Sequence, residues 1–132
     1  MSIIEKVQAL ELPLGQYVVI GSGIMDALGI RAANDMDIAV LPELHEKLRT
    51  SGKWQQEVRY GKVFLLKGNA DINPELSWSE YPTTTQEAID SATIIDGIPF
   101  MNLQELKKFK TAMGRAKDLD DIELINNYYR DE

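Results

Sequence analysis

The chain has 132 residues, of which 44% are hydrophobic, enough for one domain with one core and too few for a catalytic domain plus a separate substrate domain. Its 14 basic and 21 acidic residues give a net charge of −7, which disfavours broad, sequence-independent nucleic-acid binding and leaves room only for a local basic patch. There is no cysteine and a single histidine, His45, which excludes a disulfide scaffold, thiolate metal sites and a zinc site built on several imidazoles.

The opening segment, "MSIIEKVQALELPLGQ", carries Glu5 and Lys6 and lacks a basic start with a long apolar centre, so no secretory signal is expected. No apolar run approaches the roughly 20 residues of a membrane helix, and a cytoplasmic setting fits the cysteine-free composition. Ile3, Ile4, Val7, Leu10 and Leu12 mostly follow helical spacing up to Pro13. "QYVVI" predicts a buried strand, and Ser22 stands where a helix N-cap belongs, ahead of "IMDALG" with Gly29 as its stop. "DIAVL" predicts a second buried strand, and Pro42 opens a helix that ends on Gly52.

Three short strands follow, "WQQEVRY", "KVFLLKG" and "ADIN", separated by turns at Gly61 and Gly68-Asn69. "TTTQEAIDSA" has the pattern of a helix start, and "TIIDGIPFM" that of a hairpin about Asp96-Gly97. Two helices close the chain. The first places Leu103, Leu106, Phe109, Lys110 and Met113 on or near one face, and the second, "DLDDIELINNYYRD", repeats the pattern with Leu119, Ile122, Ile125 and Tyr129. The sum is a single α/β (α+β) domain over residues 1–132, with a short mixed sheet and helices packed against it.

Chemistry concentrates in "YVVIGSGIMDALGIRAANDMDIAV". A strand that runs into Gly21-Ser22 and then a helix offers free N–H groups and a helix dipole, a combination suited to phosphate, although such turns also serve ordinary packing. Asp35 and Asp37 flank Met36, and on an extended segment both carboxylates would project from one side. Two such groups repel each other unless a cation lies between them, and hard oxygen ligands suit Mg²⁺ or Mn²⁺. The ordinary alternative is an Asn34-Asp35 turn with Asp37 solvated. Phosphoryl chemistry with two metals needs a further carboxylate from a neighbouring strand, and Asp71 in "NADINPEL" stands in such a place unless it is only a turn residue.

Together, "GSG…NDMDIAV…ADIN" resembles the core signature of the nucleotidyltransferase superfamily typified by DNA polymerase β, and "LKKFKTAMGRAKDLDDIELI" is similar to the closing segment of its small bacterial and archaeal members. The resemblance spans Tyr17 to Ile125 and departs from the pattern at Asn34, where many small members have serine, and after Asp71, where "INPEL" replaces a longer apolar strand. It implies the nucleotidyltransferase fold and transfer of a nucleoside monophosphate from a nucleoside triphosphate to an acceptor hydroxyl, with release of pyrophosphate. Gly21 and Ser22 would hold the β- and γ-phosphates, Asp35, Asp37 and Asp71 the metals, and Asp71 would also align or deprotonate the acceptor. Lys110 would face the triphosphate, its alternative being a solvated helix face beside Lys107 and Lys108. Arg31 would contact phosphate or stand exposed. Arg115, Lys117, Asp118 and Asp121 would form a charged network between the last two helices, with Asp118 as an N-cap.

The resemblance also permits a homodimer, or a helical protein partner of the toxin-antitoxin kind, to complete an open site. A catalytically weak nucleotide-binding or regulatory subunit of the same fold is the first alternative, with Trp54, Trp78 and Tyr81 as candidate contacts for a partner; an Asp71 turned away from the pair would favour it. A glycosyltransferase using an Asp-x-Asp pair with Mn²⁺ is the second, disfavoured by the Gly-Ser turn and the small size.

Overall fold

The computed structural model describes residues 2–130. In chain order the elements are α1 (Ile3–Gln8), β1 (Tyr17–Ile20), α2 (Gly23–Ala27), β2 (Met36–Val40), α3 (Pro42–Thr50), β3 (Gln55–Arg59), β4 (Lys62–Lys67), β5 (Ala70–Asn73), α4 (Thr85–Asp90), β6 (Thr93–Ile95), β7 (Ile98–Phe100), α5 (Leu103–Met113) and α6 (Ala116–Arg130). The strands form one mixed sheet in the order β3-β4-β5-β2-β1-β7-β6, with helices packed against it, and the domain is of the α+β class. β2 runs antiparallel to β1 and parallel to β5, while β1 runs parallel to β7. The hairpins β3-β4 and β6-β7 extend the two edges. No helix among the described residues is long and apolar enough to cross a membrane.

The helix start at Thr84, Pro42 and the Asp96-Gly97 turn act as the sequence predicts. Ser2 with Glu5, and Thr84 with Glu87, form reciprocal capping boxes that satisfy the first free N–H groups of α1 and α4. Pro42 takes the first position of α3, where its missing N–H costs nothing. Asp96-Gly97 turns the chain between β6 and β7. The two central strands are almost wholly buried, with Val18, Val19, Ile38, Ala39 and Val40 at 1% exposure or less. Removing each of the larger of these side chains from water contributes roughly 1.5–3 kcal/mol. Asp37 is the only charged residue on either central strand.

α2 lies close to the sheet because its first residue has no side chain. A methyl group at Gly23 would stand 2.5 Å from Val19 Cγ1, 3.3 Å from Ile3 Cδ1 and 3.6 Å from Phe100 Cε1. Gly23→Ala is therefore expected to lower stability by about 1–3 kcal/mol through overpacking, despite alanine's better helix propensity. An unchanged urea midpoint for this variant would contradict that close approach.

α6 is rotated from its predicted setting. Its buried residues are Asp118, Asp121 and Ile125, while Leu119 is 59% and Tyr129 40% exposed. Met113, expected on the buried face of α5, is also exposed. The cause is electrostatic: the stripe that faces α5 carries the carboxylates that pair with its lysine, and burying that ion cluster turns Leu119 and Tyr129 outward. Asp131, at the end of the segment predicted as the last helix, lies outside the described residues.

Candidate functional site

In the parallel pair of β2 and β5, Asp37 stands directly opposite Asp71. Residues in register on neighbouring strands project from the same face, so the two carboxylates stand side by side. Asp71 is thus a strand residue beside Asp37, neither a turn residue nor turned away. Asp35 differs from expectation. β2 begins at Met36, leaving Asp35 exposed in the preceding bend rather than aligned with Asp37 along one strand.

Burial pushes the Asp37 carboxyl up to about 6, with the negative charges of Asp71 and Asp35 adding to the effect and Arg59 and Lys110 opposing it. Its ordinary value is 3.8, so folding favours the protonated form. Between about pH 4 and pH 6 the folded chain binds more protons at this site than the unfolded chain, and stability falls as pH rises through that window. The ionised group costs on the order of 2–3 kcal/mol at pH 7 in the absence of a cation. Asp37→Asn is expected to raise the melting temperature by about 5 °C or more at pH 7, with the gain vanishing near pH 4. A variant that melts below the wild type at pH 7 would contradict this account of the site.

Asp71 is held from one side only. Its Oδ2 accepts a hydrogen bond from Arg59 Nη2 at 2.8 Å, and its buried Oδ1 has no partner among the described residues. Sequence reasoning missed Arg59, whose side chain crosses from the edge strand β3 over β4, and no local pattern marks such a reach.

Opposite charge gathers around the turn after β1. Gly21 has φ +64°, and a methyl group there would stand 3.4 Å from Asp37 Oδ2, so glycine keeps the space beside that carboxyl open. Ser22 occupies the N-cap position of α2, but its hydroxyl caps nothing. It accepts instead from Arg31 Nη2 at 2.8 Å and from Lys110 Nζ at 3.2 Å. α2 is only five residues long, so the helix dipole expected here contributes little, and the positive potential comes from side chains.

Lys110 is 5% exposed and therefore not part of a solvated face. Its Nζ lies 2.8 Å from Asp121 Oδ2 and 3.7 Å from Asp118 Oδ1. Arg31 forks onto the same Asp121, with Nε–Oδ1 and Nη2–Oδ2 distances of 2.7 Å. Arg115 pairs with Asp118 through Nε at 2.6 Å and also donates its backbone N–H to that carboxylate at 3.1 Å. Asp118 is accordingly not an N-cap; it is the third residue of α6 and reaches back to the residue that precedes the helix. The predicted network exists with Arg31 and Lys110 added, while Lys117 stays exposed at the mouth of the cleft. Burial pushes the Asp121 carboxyl up, but the hydrogen bonds from Arg31 and Lys110 outweigh it and hold the group down at about 2.

One cleft of about 400 Å³ is lined by Gly21, Ser22, Asp35 and Asp37 together with Arg31, Lys110, Arg115, Lys117 and Asp121, while Asp71 stands beside Asp37 outside that lining. Trp54 and Trp78 are half-buried. Tyr81 is buried, Trp78 and Tyr81 pack against Phe109 at 5.3 and 5.2 Å between ring centroids, and Trp54 lies under Lys67. Among the described residues no three acidic or imidazole side chains stand close enough together to form a ready-made metal cluster. The residues nonetheless suit a hard cation: Asp71 Oδ1 is buried without a partner, Asp37 is destabilised by its own charge, and Gly21 leaves room beside it. No family model, no curated protein and no solved structure matches the chain.

Proposed function

We propose that the chain is a metal-dependent nucleotidyltransferase of the DNA polymerase β-like kind, acting in the cytoplasm on a nucleoside triphosphate and an acceptor hydroxyl. The observation that carries this reading is the parallel register of Asp37 with Asp71 beside a Gly-Ser turn whose hydroxyl is held by Lys110 and Arg31. Asp35 and Asp37 beside Arg31, Lys110 and Lys117 in one cleft would suit the two ends of a cation-bound triphosphate.

Asp35, Asp37 and Asp71 would hold Mg²⁺ or Mn²⁺. The bound cations would neutralise charge on the phosphates and lower the pKa of the acceptor hydroxyl. The protein's own groups do the rest. Gly21 and Ser22 present the turn to the β- and γ-phosphates, with Lys110 fixing the Ser22 hydroxyl and adding its charge from below. Arg31 stiffens the loop between the turn and Asp35, because it bonds at once to Asp121, Ser22 and the Ala32 carbonyl. The acceptor oxygen attacks the α-phosphorus and forms the new P–O bond. The bond to the bridging α–β oxygen breaks, and pyrophosphate leaves with that electron pair. Asp71 aligns the acceptor and takes its proton, which passes on to water. The cleft is open beside Asp35 and Lys117, so an acceptor, or a second protein presenting one, can approach there.

Incubation with each triphosphate labelled on its α-phosphate, with Mg²⁺, tests this assignment. The expected products are a labelled nucleotidyl adduct, or the monophosphate when water is the acceptor, together with pyrophosphate. Diphosphate and inorganic phosphate would contradict it. A second reading, a nucleotide-binding regulatory subunit with little catalysis, is favoured by one contact: Arg59 already occupies Asp71. That reading predicts triphosphate binding without α–β cleavage.

A further inference from the structure

We propose that Arg59 is a built-in counter-cation that occupies the third carboxylate of the site in the cation-free protein and must leave it when a divalent cation binds. The proposal rests on the reading of Asp37 and Asp71 as cation ligands and adds a device that controls their loading.

Arg59 ends β3, the edge strand, which pairs only with β4. Its guanidinium lies 4.3 Å above the centre of the Phe64 ring and extends to Asp71 on β5. Among the described residues it is the only hydrogen-bond donor to that carboxylate. Its Nε is bonded at 3.0 Å to Glu57, two residues back on the same strand. The guanidinium is therefore shared between a partner inside the site and one outside it. Both Arg59 and Glu57 are part-exposed, at 32% and 50% for their side chains, so the arginine can move without disturbing the core.

A divalent ion and the guanidinium would compete for the negative charge of Asp71. A divalent ion at the Asp37–Asp71 pair would also place two positive charges within a few ångströms of the guanidinium, and the like-charge repulsion would favour its departure. Glu57 and the Phe64 ring would remain available to a released Arg59 as partners outside the site. The unpartnered Oδ1 then gains a ligand that the arginine cannot supply from its side. The arginine thereby limits the charge repulsion between Asp37 and Asp71 while the site is empty, and it sets a threshold of cation concentration for loading.

The test is Mn²⁺ binding without nucleotide, by calorimetry and by the electron paramagnetic resonance of free Mn²⁺, on the full chain and on Arg59→Gln, with folding checked by circular dichroism. Loss of one competing charged hydrogen bond is expected to tighten Mn²⁺ binding about tenfold in the variant. Asp37→Asn should remove the binding in both backgrounds. Equal or weaker binding by Arg59→Gln overturns the counter-cation role and leaves the carboxylate assignment standing. No Mn²⁺ binding by either folded protein overturns both. A measurement on the wild type needs no stable variant: the side-chain Nη–H resonance of Arg59, identified by its loss in Arg59→Lys, should shift on Mg²⁺ titration with the midpoint of binding. A resonance unmoved at saturating Mg²⁺ would overturn the proposal.

Discussion

Replacing Asp35 and Asp37 together by asparagine should abolish Mg²⁺-dependent binding of nucleoside triphosphate, by more than the 10–100-fold typical of losing only a residue that supports a metal ligand, thus by about 100-fold or more. The two positions contribute unequally. Asp37 stands on the central sheet opposite Asp71, and its charge is destabilised by burial and by both neighbouring carboxylates. Asp35 is exposed in a bend and reaches the same cleft from its rim. Neither removal should harm the fold. Loss of the Asp37 charge relieves an unfavourable term at neutral pH, and Asp35 has no packing role to lose. The double variant should therefore melt at or above the wild-type temperature while losing the ligand. Magnesium-dependent turnover retained in it would contradict the assignment.

The second large effect concerns stability. Lys110→Met nearly conserves side-chain length and apolar volume, so its consequences are those of the charge. In the wild type Lys110 bonds to Asp121 and lies near Asp118, whose side chains are 7% and 0% exposed. Without the lysine Asp121 retains only Arg31, and Asp118 only Arg115. Breaking a buried cluster by removing one partner typically costs 3–5 kcal/mol, and here, with those pairs surviving, about 3 kcal/mol is expected, or about 10 °C in melting temperature. The acid limb should change as well. Asp121 titrates at about 2 in the fold and at 3.8 in the ordinary case, so its contribution is present above about pH 4 and lost as pH falls toward 2. The variant should lose less stability than the wild type across that window. A melting temperature within a degree or two of wild type would show that the cluster is not what holds α5 to α6.

The strands and their turns were legible because each is a local pattern: apolar runs closed by Gly21, by Gly68-Asn69 and by Asp96-Gly97. The capping box at Thr84 was legible for the same reason, while the one at Ser2 went unread. The acidic positions were visible, but not which of them pair, since Asp37 meets Asp71 only through a parallel register set by the whole sheet. The rotation of α6 was misread because a hydrophobic count assigns Leu119 and Tyr129 to the core. The true stripe, Asp118, Asp121 and Ile125, has the same helical spacing with two charges in it. A signal was present: Lys110 follows Leu103 and Leu106 at helical spacing, and a lysine on a buried stripe calls for acids on the facing one. Arg31 and Arg59 could not be placed in this way. Arg31 bonds to a residue 90 positions away, and Arg59 crosses an intervening strand.

The central claim is that Gly21-Ser22 and the aspartates are two halves of one cation-triphosphate site. Calorimetric titration of the wild-type protein with each nucleoside triphosphate, in Mg²⁺ and then in excess chelator, tests it most directly. Binding of at least one triphosphate that requires Mg²⁺ is the predicted result. Binding of equal strength in chelator, or no binding of any triphosphate with Mg²⁺ or Mn²⁺, would contradict it.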